Sequence, residues 1–144
     1  MTTYQKASDE DIARLEEMMN AYLIESKSKM TLDELLLSVN VFLPTRDENG
    51  VIQGFVGYDS VRSTHFGKIA VWRVIYTEPS CRGKFAEIFT KILKFFLSQG
   101  YEHIESHLNH KMNHFYRRKL KSQSDLYVHF GRVSDYIERL EDEK

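Results

Sequence analysis

The segment Pro79–Lys84, which reads PSCRGK, carries the residue types of a phosphate-binding turn. It follows a stretch rich in β-branched residues and precedes a run of apolar residues at helical spacing. Backbone N–H groups at the start of a helix, helped by the helix dipole, bind phosphate groups. Arg82 and Lys84 add positive charge, and Gly83 lets a ligand approach the backbone closely. The alternative is a solvated helix start in which Gly83 serves only the turn.

Cys81 and four histidines are further side chains that could do chemistry. A thiol near a helix N-terminus is activated, but no Cys/His/Asn pattern accompanies Cys81, which favours a bystander. His110 and His114 share one helix face, which is half of what a zinc site needs. His103 and His107 fall on a strand, and no HExxH motif is present. We therefore expect no metal, and we expect the imidazoles to serve as substrate-side bases, because they titrate near neutrality.

Length, charge and cysteine content limit the classes of protein to which this chain can belong. The 144 residues suit a single domain, residues 1–144. The formal net charge of −1 argues against a nucleic-acid-binding domain. Cys81 is the only cysteine, so no intrachain disulfide can form and a reducing compartment is expected. No apolar run approaches the roughly 18–20 residues of a membrane span. We expect a soluble cytoplasmic protein without membrane contact.

The elements that position these residues alternate between strand and helix patterns. Strand patterns fall at Tyr4–Ala7, Val41–Leu43, Val51–Tyr58, Lys68–Thr77, Tyr101–Leu108 and Leu126–Val133. A first helix is capped by Ser8 or Asp9, and further helices are predicted at Thr31–Val39, Lys84–Gln99, Asn109–Leu120 and Asp135–Glu143. The order predicts an α/β (α+β) protein, with a mixed sheet flanked by helices.

Turn residues mark where these elements end. Asn49-Gly50 is the dipeptide preferred by a type I′ hairpin turn. Ser60–Gly67 is predicted to be a connection, and Pro79 to end the strand before it. Gly100 follows the long helix, as a C-cap glycine does.

From about residue 4 to residue 130 the chain resembles the GNAT family of N-acetyltransferases. Val74–Phe89 resembles the strand, Pro-bearing turn and helix start of the family's acetyl-CoA site. Tyr4–Ala7 and the first helix are similar to the family's opening elements, and Asp47–Gly57 is similar to its first hairpin. Asn109, followed by Tyr116, is similar to the family's Asn and Tyr in the helix after the penultimate strand.

The resemblance implies a GNAT-like mixed, mostly antiparallel sheet, splayed at its central strands. It implies acetyl-CoA as the acyl donor and a small-molecule or protein amine as the acceptor. Asn109 is placed near the pantetheine arm, and Tyr116 is placed to protonate the departing thiolate. The backbone at Val74–Tyr76 is placed to stabilise the oxyanion. The residues assigned to cofactor binding are Val74, Tyr76, Arg82, Gly83, Lys84, Phe85, Ala86 and Glu87.

Three departures from the family pattern keep a second function open. Phe85 and Glu87 stand where the family's loop has small residues, and Lys68–Thr77 carries no interior Asp or Glu as a general base. Leu120-Lys121 replaces the usual Gly-Phe. The alternative is a catalytically inactive GNAT-fold subunit that binds or builds a larger assembly. The polar helix Asp135–Glu143 is then a surface for a homodimer or a larger assembly.

The basic run Arg117–Lys121 also has several interpretations. Next to Tyr116 it is suited to the 3′-phosphate of coenzyme A or to an acidic partner. A solvated helix end is the alternative, because cations favour the negative end of the helix dipole. A third function, a small nucleic-acid-binding module, has only this run in its favour, and we expect nucleic acid not to be the partner.

Overall fold

The computed structural model describes residues 3–5, 7–107 and 132–142. The chain divides into two compact units, Met1–Leu108 and Asn109–Lys144. Nearly all of the predicted elements Asn109–Leu120 and Leu126–Val133 lie outside the described residues. The second unit contains a C-terminal helix, Val133–Asp142, which confirms the predicted terminal helix. A single functional domain over the whole chain stays a prediction.

The described residues of the first unit form five strands and three α-helices. The strands are β1 (Thr3–Tyr4), β2 (Val41–Arg46), β3 (Ile52–Ser63), β4 (Gly67–Thr77) and β5 (His103–Ser106). The α-helices are α1 (Asp9–Glu25), α2 (Leu32–Ser38) and α3 (Phe85–Ser98), and a 3-10 helix covers Pro79–Lys84 directly before α3. Every element predicted for this part of the chain is present, with shifted ends.

Capping boxes start the first two helices. Ser8 Oγ accepts the Asp11 N–H at 3.3 Å, and Asp11 Oδ2 accepts the Ser8 N–H at 3.0 Å. Thr31 Oγ1 accepts the Glu34 N–H at 3.2 Å, and the Glu34 carboxylate accepts in return. Each box satisfies two N–H groups that would otherwise lack a partner at the helix start. The predicted starts are confirmed.

Helix α3 ends as its glycine predicts. Gly100 adopts φ +89°, its N–H donates to Leu97 O, and the Tyr101 N–H donates to Phe96 O, both at 3.1 Å. This is the Schellman arrangement, in which a left-handed residue lets the chain satisfy the last carbonyls. The rings of Phe96 and Tyr101 pack 5.4 Å apart and complete the motif.

The strands form one mixed sheet in the order β1-β2-β3-β4-β5. The long central pairs, β2 with β3 and β3 with β4, are antiparallel. The two outer pairs, β1 with β2 and β4 with β5, are parallel and short. The predicted fold class, a mostly antiparallel mixed sheet flanked by helices, is confirmed.

The turn predicted at Asn49-Gly50 is present, but two turn predictions were wrong in detail, the first in the type of the turn and the second in its extent. At Asn49-Gly50 only Gly50 has positive φ, at +83°, whereas a type I′ turn also needs Asn49 there. The Asp47 carboxylate decides the geometry, because Oδ1 accepts the N–H groups of Asn49 and Val51 at 2.8 and 2.9 Å.

The second wrong turn is the connection predicted at Ser60–Gly67. Strand β3 continues to Ser63 and pairs with β4 up to Gly67, so only three residues, 64 to 66, form the turn. The Ser63 hydroxyl closes it by accepting the N–H groups of His65 and Phe66 at 3.1 and 3.2 Å.

The sheet carries a separate apolar layer on each face. Under α1 and α2 lies a cluster that includes Leu15, Met18, Met19, Leu35, Phe42, Phe55, Val74 and Tyr76. On the opposite face Trp72, which is fully buried, packs against Phe89 and Phe96 of α3 at ring distances of 5.4 and 5.2 Å. Strand β4 contributes to both layers, so its position is fixed from above and below.

Candidate active site

Strand β4 extends beyond its pairing with β5. The last paired residues are Trp72 and Ser106, and the His107 N–H donates to Trp72 O at 2.9 Å. Beyond this point, among the described residues, β4 pairs only with β3. Along residues 73–77, the edge of β4 opposite β3 therefore has no strand partner among the described residues. We call it the open edge of β4.

Strand alternation shows which backbone groups lie on that edge. The Glu78 N–H donates to Gln53 O at 2.8 Å, so Glu78 faces β3. N–H and C=O groups alternate sides along a strand. Tyr76 and Val74 then also face β3, opposite Phe55 and Gly57, and Ile75 and Thr77 face the open edge. The side chains of Val74 and Tyr76 are buried in the α1 layer.

A β-bulge at Arg73 determines which residues of β4 direct their backbone groups towards the open edge. Gly57 pairs with Val74 and Tyr58 pairs with Trp72, which leaves Arg73 as the extra residue. The Arg73 guanidinium forms an ion pair with Asp59, whose other oxygen accepts the Asn40 N–H at 2.8 Å. Both oxygens of Asp59 are therefore occupied, and this buried carboxylate holds the bulge. Asp59 and Arg73 were not predicted from the sequence, and Ile75 was not distinguished within the predicted range Val74–Tyr76, because only the strand pairing of β3 with β4 reveals their positions.

The predicted phosphate turn is a 3-10 helix. The Cys81 N–H donates to Glu78 O at 2.8 Å, and the Phe85 N–H donates to Arg82 O. Lys84 is the N-cap residue of α3, and no side-chain oxygen caps this helix. Its start thus differs from the closed starts of α1 and α2.

Gly83 has an ordinary backbone conformation at an open surface. Its φ is not in the positive region that favours glycine. A Cβ added there would meet no heavy atom within 4 Å among the described residues. Neither the turn nor packing within the described structure requires glycine here, and the backbone at Gly83 lies open at the surface.

Arg82 is engaged by its surroundings. Its Nε donates to Thr77 O at 3.1 Å, its terminal nitrogen bonds Glu25 at 2.7 Å, and its guanidinium lies 5.7 Å from the centre of the Tyr76 ring. The hydrogen bond that Arg82 donates to the Glu25 carboxylate raises the pKa of Arg82. Lys84 is exposed and forms no ion pair with any described residue. Lys84 is therefore the more available cation.

Two ion pairs fasten the 3-10 helix to α1. Arg14 bonds Glu78 at 2.6 Å, and Glu25 bonds Arg82 at 2.7 Å. Such partly exposed pairs each contribute up to about 1 kcal/mol. Because Arg14 and Glu25 lie near opposite ends of α1, the pairs fix the orientation of the segment more than its stability.

Phe85 and Glu87, the two departures from the small-residue pattern, point in different directions. Phe85 is half-buried, and its ring packs 5.5 Å from Phe89, towards the α3 layer. Glu87 is exposed in the first turn of α3, as is Ala86. The bulk of Phe85 is therefore partly withdrawn from the surface, and the Glu87 charge is not.

Of the remaining predicted site residues, some are described by the structure and the others lie outside the described residues. Cys81 lies half-buried in the 3-10 helix, with its sulfur 3.8 Å from Ser80 Oγ. His103 packs on the Phe66 ring at 4.7 Å, and His107 Nε2 lies 2.6 Å from Glu105. No metal-binding cluster occurs among the described residues. Lying outside the described residues are Asn109, His110, His114, Tyr116 and Arg117–Lys121.

None of the helices among the described residues has the length and apolar character needed to cross a bilayer.

Comparison with known proteins shows a likeness of fold. No family model matches the chain, and no curated protein matches it in sequence. A ribosomal-protein-alanine N-acetyltransferase from Brucella melitensis biovar Abortus 2308 superposes with a TM-score of 0.63 at 13% identity, over 86% of this chain and 94% of that one. An aminoglycoside acetyltransferase from an uncultured soil sample, solved with sisomicin, gives 0.60 at 15% identity, over 88% and 92%.

A third neighbour carries no stated activity. It is an integron cassette protein from the mobile metagenome of the Cole Harbour salt marsh, with a TM-score of 0.62 at 13% identity, over 88% of each chain. All three cover nearly the whole of both chains, so the likeness extends well beyond one motif. The chain therefore has the fold of the GNAT acetyltransferases, in a strongly diverged sequence.

Proposed function

We propose that this protein is an N-acetyltransferase that transfers the acetyl group of acetyl-CoA to an amine. The observation that carries the proposal is Gly83, which lies exposed at the uncapped start of α3 without a conformational or packing role among the described residues. The fold supports it, since solved neighbours include acetyltransferases. Fold alone does not establish activity.

The start of α3 is the proposed site of the coenzyme A diphosphate. The diphosphate lies against the backbone from Gly83 to Glu87, where the helix dipole favours negative charge. Lys84 supplies the main cationic side chain, and Arg82, held by Glu25, supports the segment. Glu87 repels the diphosphate and weakens binding relative to a family loop of small residues.

The open edge of β4 is the proposed site of the thioester. The Ile75 N–H lies on this edge and donates to the carbonyl oxygen as negative charge develops on it. The neutral acceptor nitrogen forms a bond to the carbonyl carbon, the carbon–sulfur bond breaks, the thiolate takes a proton, and the nitrogen releases one proton to solvent as the amide forms. Tyr116 is assigned as the proton donor by the family resemblance, with Asn109 near the pantetheine arm. A direct transfer uses no enzyme nucleophile, so Cys81 has no part in it.

The acceptor is proposed to be a small molecule with a primary amine. The neighbour solved with the aminoglycoside sisomicin supports this class of acceptor. A protein amine is the second candidate class, because another neighbour is named a ribosomal-protein-alanine N-acetyltransferase. The bulge at Arg73, beside the open edge, borders the proposed reaction centre on β4.

Calorimetry with acetyl-CoA tests the donor site. The full chain should bind with a Kd in the micromolar range. Gly83→Ala should raise that Kd by about fivefold or more, roughly 1 kcal/mol, because the added methyl group stands where the ligand approaches the backbone. The variant should melt no lower than wild type. Absence of heat at millimolar acetyl-CoA would overturn the proposal and favour the inactive GNAT-fold subunit.

Activity measurements then test Tyr116. With a working amine acceptor, Tyr116→Phe should reduce kcat by about 10²-fold, the low end of a general acid's contribution. The phenyl ring is retained, so the melting temperature and the Kd of acetyl-CoA should stay unchanged. A kcat equal to wild type would remove Tyr116 from the mechanism and leave donor binding intact.

A further inference from the structure

A concave site lies between α3 and the strands β2 and β3. It is a surface pocket of about 190 Å³ between the end of β2, the start of β3 and the middle of α3. Leu43 on the sheet and Ile88, Ile92 and Phe95 on the helix form its apolar walls. The open edge of β4 and Gly83 do not contribute to it. The pocket is therefore separate from the proposed donor site.

The polar groups of the pocket are a buried hydroxyl and a positive rim. Thr45 lines the pocket and is only 9% exposed, and its Oγ1 has no hydrogen-bond partner among the described residues. A buried hydroxyl without a partner is costly, so such groups are normally satisfied by protein, water or ligand. Lys91 and Arg46 are the charged residues in the described part of the lining, and none of the described lining residues is acidic.

The two cations differ in how they are engaged. Arg46 bonds Asp11 at 2.8 Å and Gly50 O at 3.2 Å, so part of its charge is neutralised. Lys91 is exposed and makes no ion pair with a described residue. The lining thus offers an apolar volume, one unsatisfied hydroxyl and one uncompensated positive charge.

We propose that this pocket binds a small monocarboxylate with a single-ring or short branched aliphatic body. An apolar cavity of about 150 Å³ holds one benzene molecule, so the observed volume accepts one ring with a small substituent. The carboxylate faces Lys91. Rotation of the Thr45 side chain about its Cα–Cβ bond turns the hydroxyl, which is buried in the ligand-free chain, towards the ligand as the second polar contact. Apolar walls with one or two placed polar groups are the usual composition of a small-molecule site.

Binding of benzoate and of its neutral isostere benzamide to the full chain tests the proposal. Benzoate should bind with a Kd on the order of 1 mM or below, as its small size allows, and benzamide should bind about fivefold more weakly. Lys91→Met should abolish this preference. Lys94→Met, an equal change on α3 outside the lining, should preserve it.

Thr45→Val separates a ligand contact from a structural role. Removing an unsatisfied buried hydroxyl should raise the melting temperature of the ligand-free chain by roughly 2–4 °C, while the Kd for benzoate increases at least threefold or so. No binding of benzoate at 10 mM (a concentration of about ten times the expected Kd), equal binding of benzamide, or an equal effect of Lys94→Met would each overturn the proposal.

Discussion

Helices α1 and α3 begin in different ways. The N-cap of α1, Ser8, has extended backbone (ψ 173°), and its hydroxyl turns back onto the Asp11 N–H. The N-cap of α3, Lys84, has ψ 18°, continues the turn of the 3-10 helix and caps nothing. One start is closed by the protein's own oxygens, and the other presents cationic residues and a bare glycine.

The difference indicates where an external anion can stabilise the fold. A carboxylate already occupies the positive end of the α1 dipole, because Asp9, Glu10 and Asp11 fill its first turn. In the first turn of α3 the only acidic residue is Glu87, and two basic residues, Arg82 and Lys84, precede it. The helix dipole is therefore satisfied by the protein's own side chains at α1, whereas at α3 no side-chain oxygen caps the helix start.

Among the tests of this contrast between α1 and α3, the largest expected effect is on acetyl-CoA affinity. Lys84→Glu should raise the Kd at least tenfold, since reversing one charge near a diphosphate costs about 2 kcal/mol at a partly exposed site. The matched control Lys94→Glu, exposed further along α3, should stay within about twofold. Calorimetry measures both, and equal effects of the two variants would mean that only the overall charge matters.

The second effect is on stability at the closed start. Ser8→Ala should lower the free energy of unfolding by about 1 kcal/mol, because the Asp11 N–H loses its acceptor. Lys84→Ala should change it by less than about 0.3 kcal/mol, because no cap is lost at α3. Urea denaturation compares the two, and a loss at Lys84 as large as at Ser8 would contradict the contrast.

These two starts also show which features local sequence can predict. Capping boxes lie within four residues, so Thr31 with Glu34 marks α2 correctly. The glycine that ends α3 is equally local. The bulge at Arg73 is not, because it depends on Asp59, fourteen residues earlier and on another strand. The edge position of Ile75 follows from that bulge and was therefore out of reach of sequence.

The wrong turn at Asn49-Gly50 has a related cause. The dipeptide is a strong signal for a type I′ turn, but Asp47 competes for the same N–H groups and prevails. The 3-10 helix was missed for another reason, since PSCRGK has no periodic pattern that separates a loop from a tight helix. Fold class and helix starts were predictable, whereas the backbone geometry of the site was not.

A third, smaller effect concerns Gly83 itself. In a helical segment glycine is less favourable than alanine by roughly 0.5–1 kcal/mol. The open space around the added Cβ leaves that gain unopposed, so Gly83→Ala should raise the free energy of unfolding by about 0.5 kcal/mol. Thermal denaturation without ligand measures it. A decrease would show that the glycine has a structural role, and the α3 start would lose its contrast with α1.

The smallest effect is the acid dependence of the α1 start. The Arg46 guanidinium, 2.8 Å from Asp11, and the Ser8 N–H lower the pKa of the Asp11 carboxyl from 3.8 to about 2. A carboxyl whose pKa is lower in the folded state contributes stability above its unfolded pKa, and that contribution is lost as pH falls through the folded value. Asp11→Asn should therefore be less stable than wild type at pH 7, and the difference should shrink between about pH 4 and pH 2.

Arg46→Met should cause a similar loss of stability at pH 7, and combining the two changes should add little, because they remove the same ion pair. Urea unfolding at several pH values measures these differences. A gap between Asp11→Asn and wild type that persists unchanged at pH 2 would show that the Asp11 side chain stabilises α1 by packing or hydrogen bonding alone, and that its charge does not close the helix.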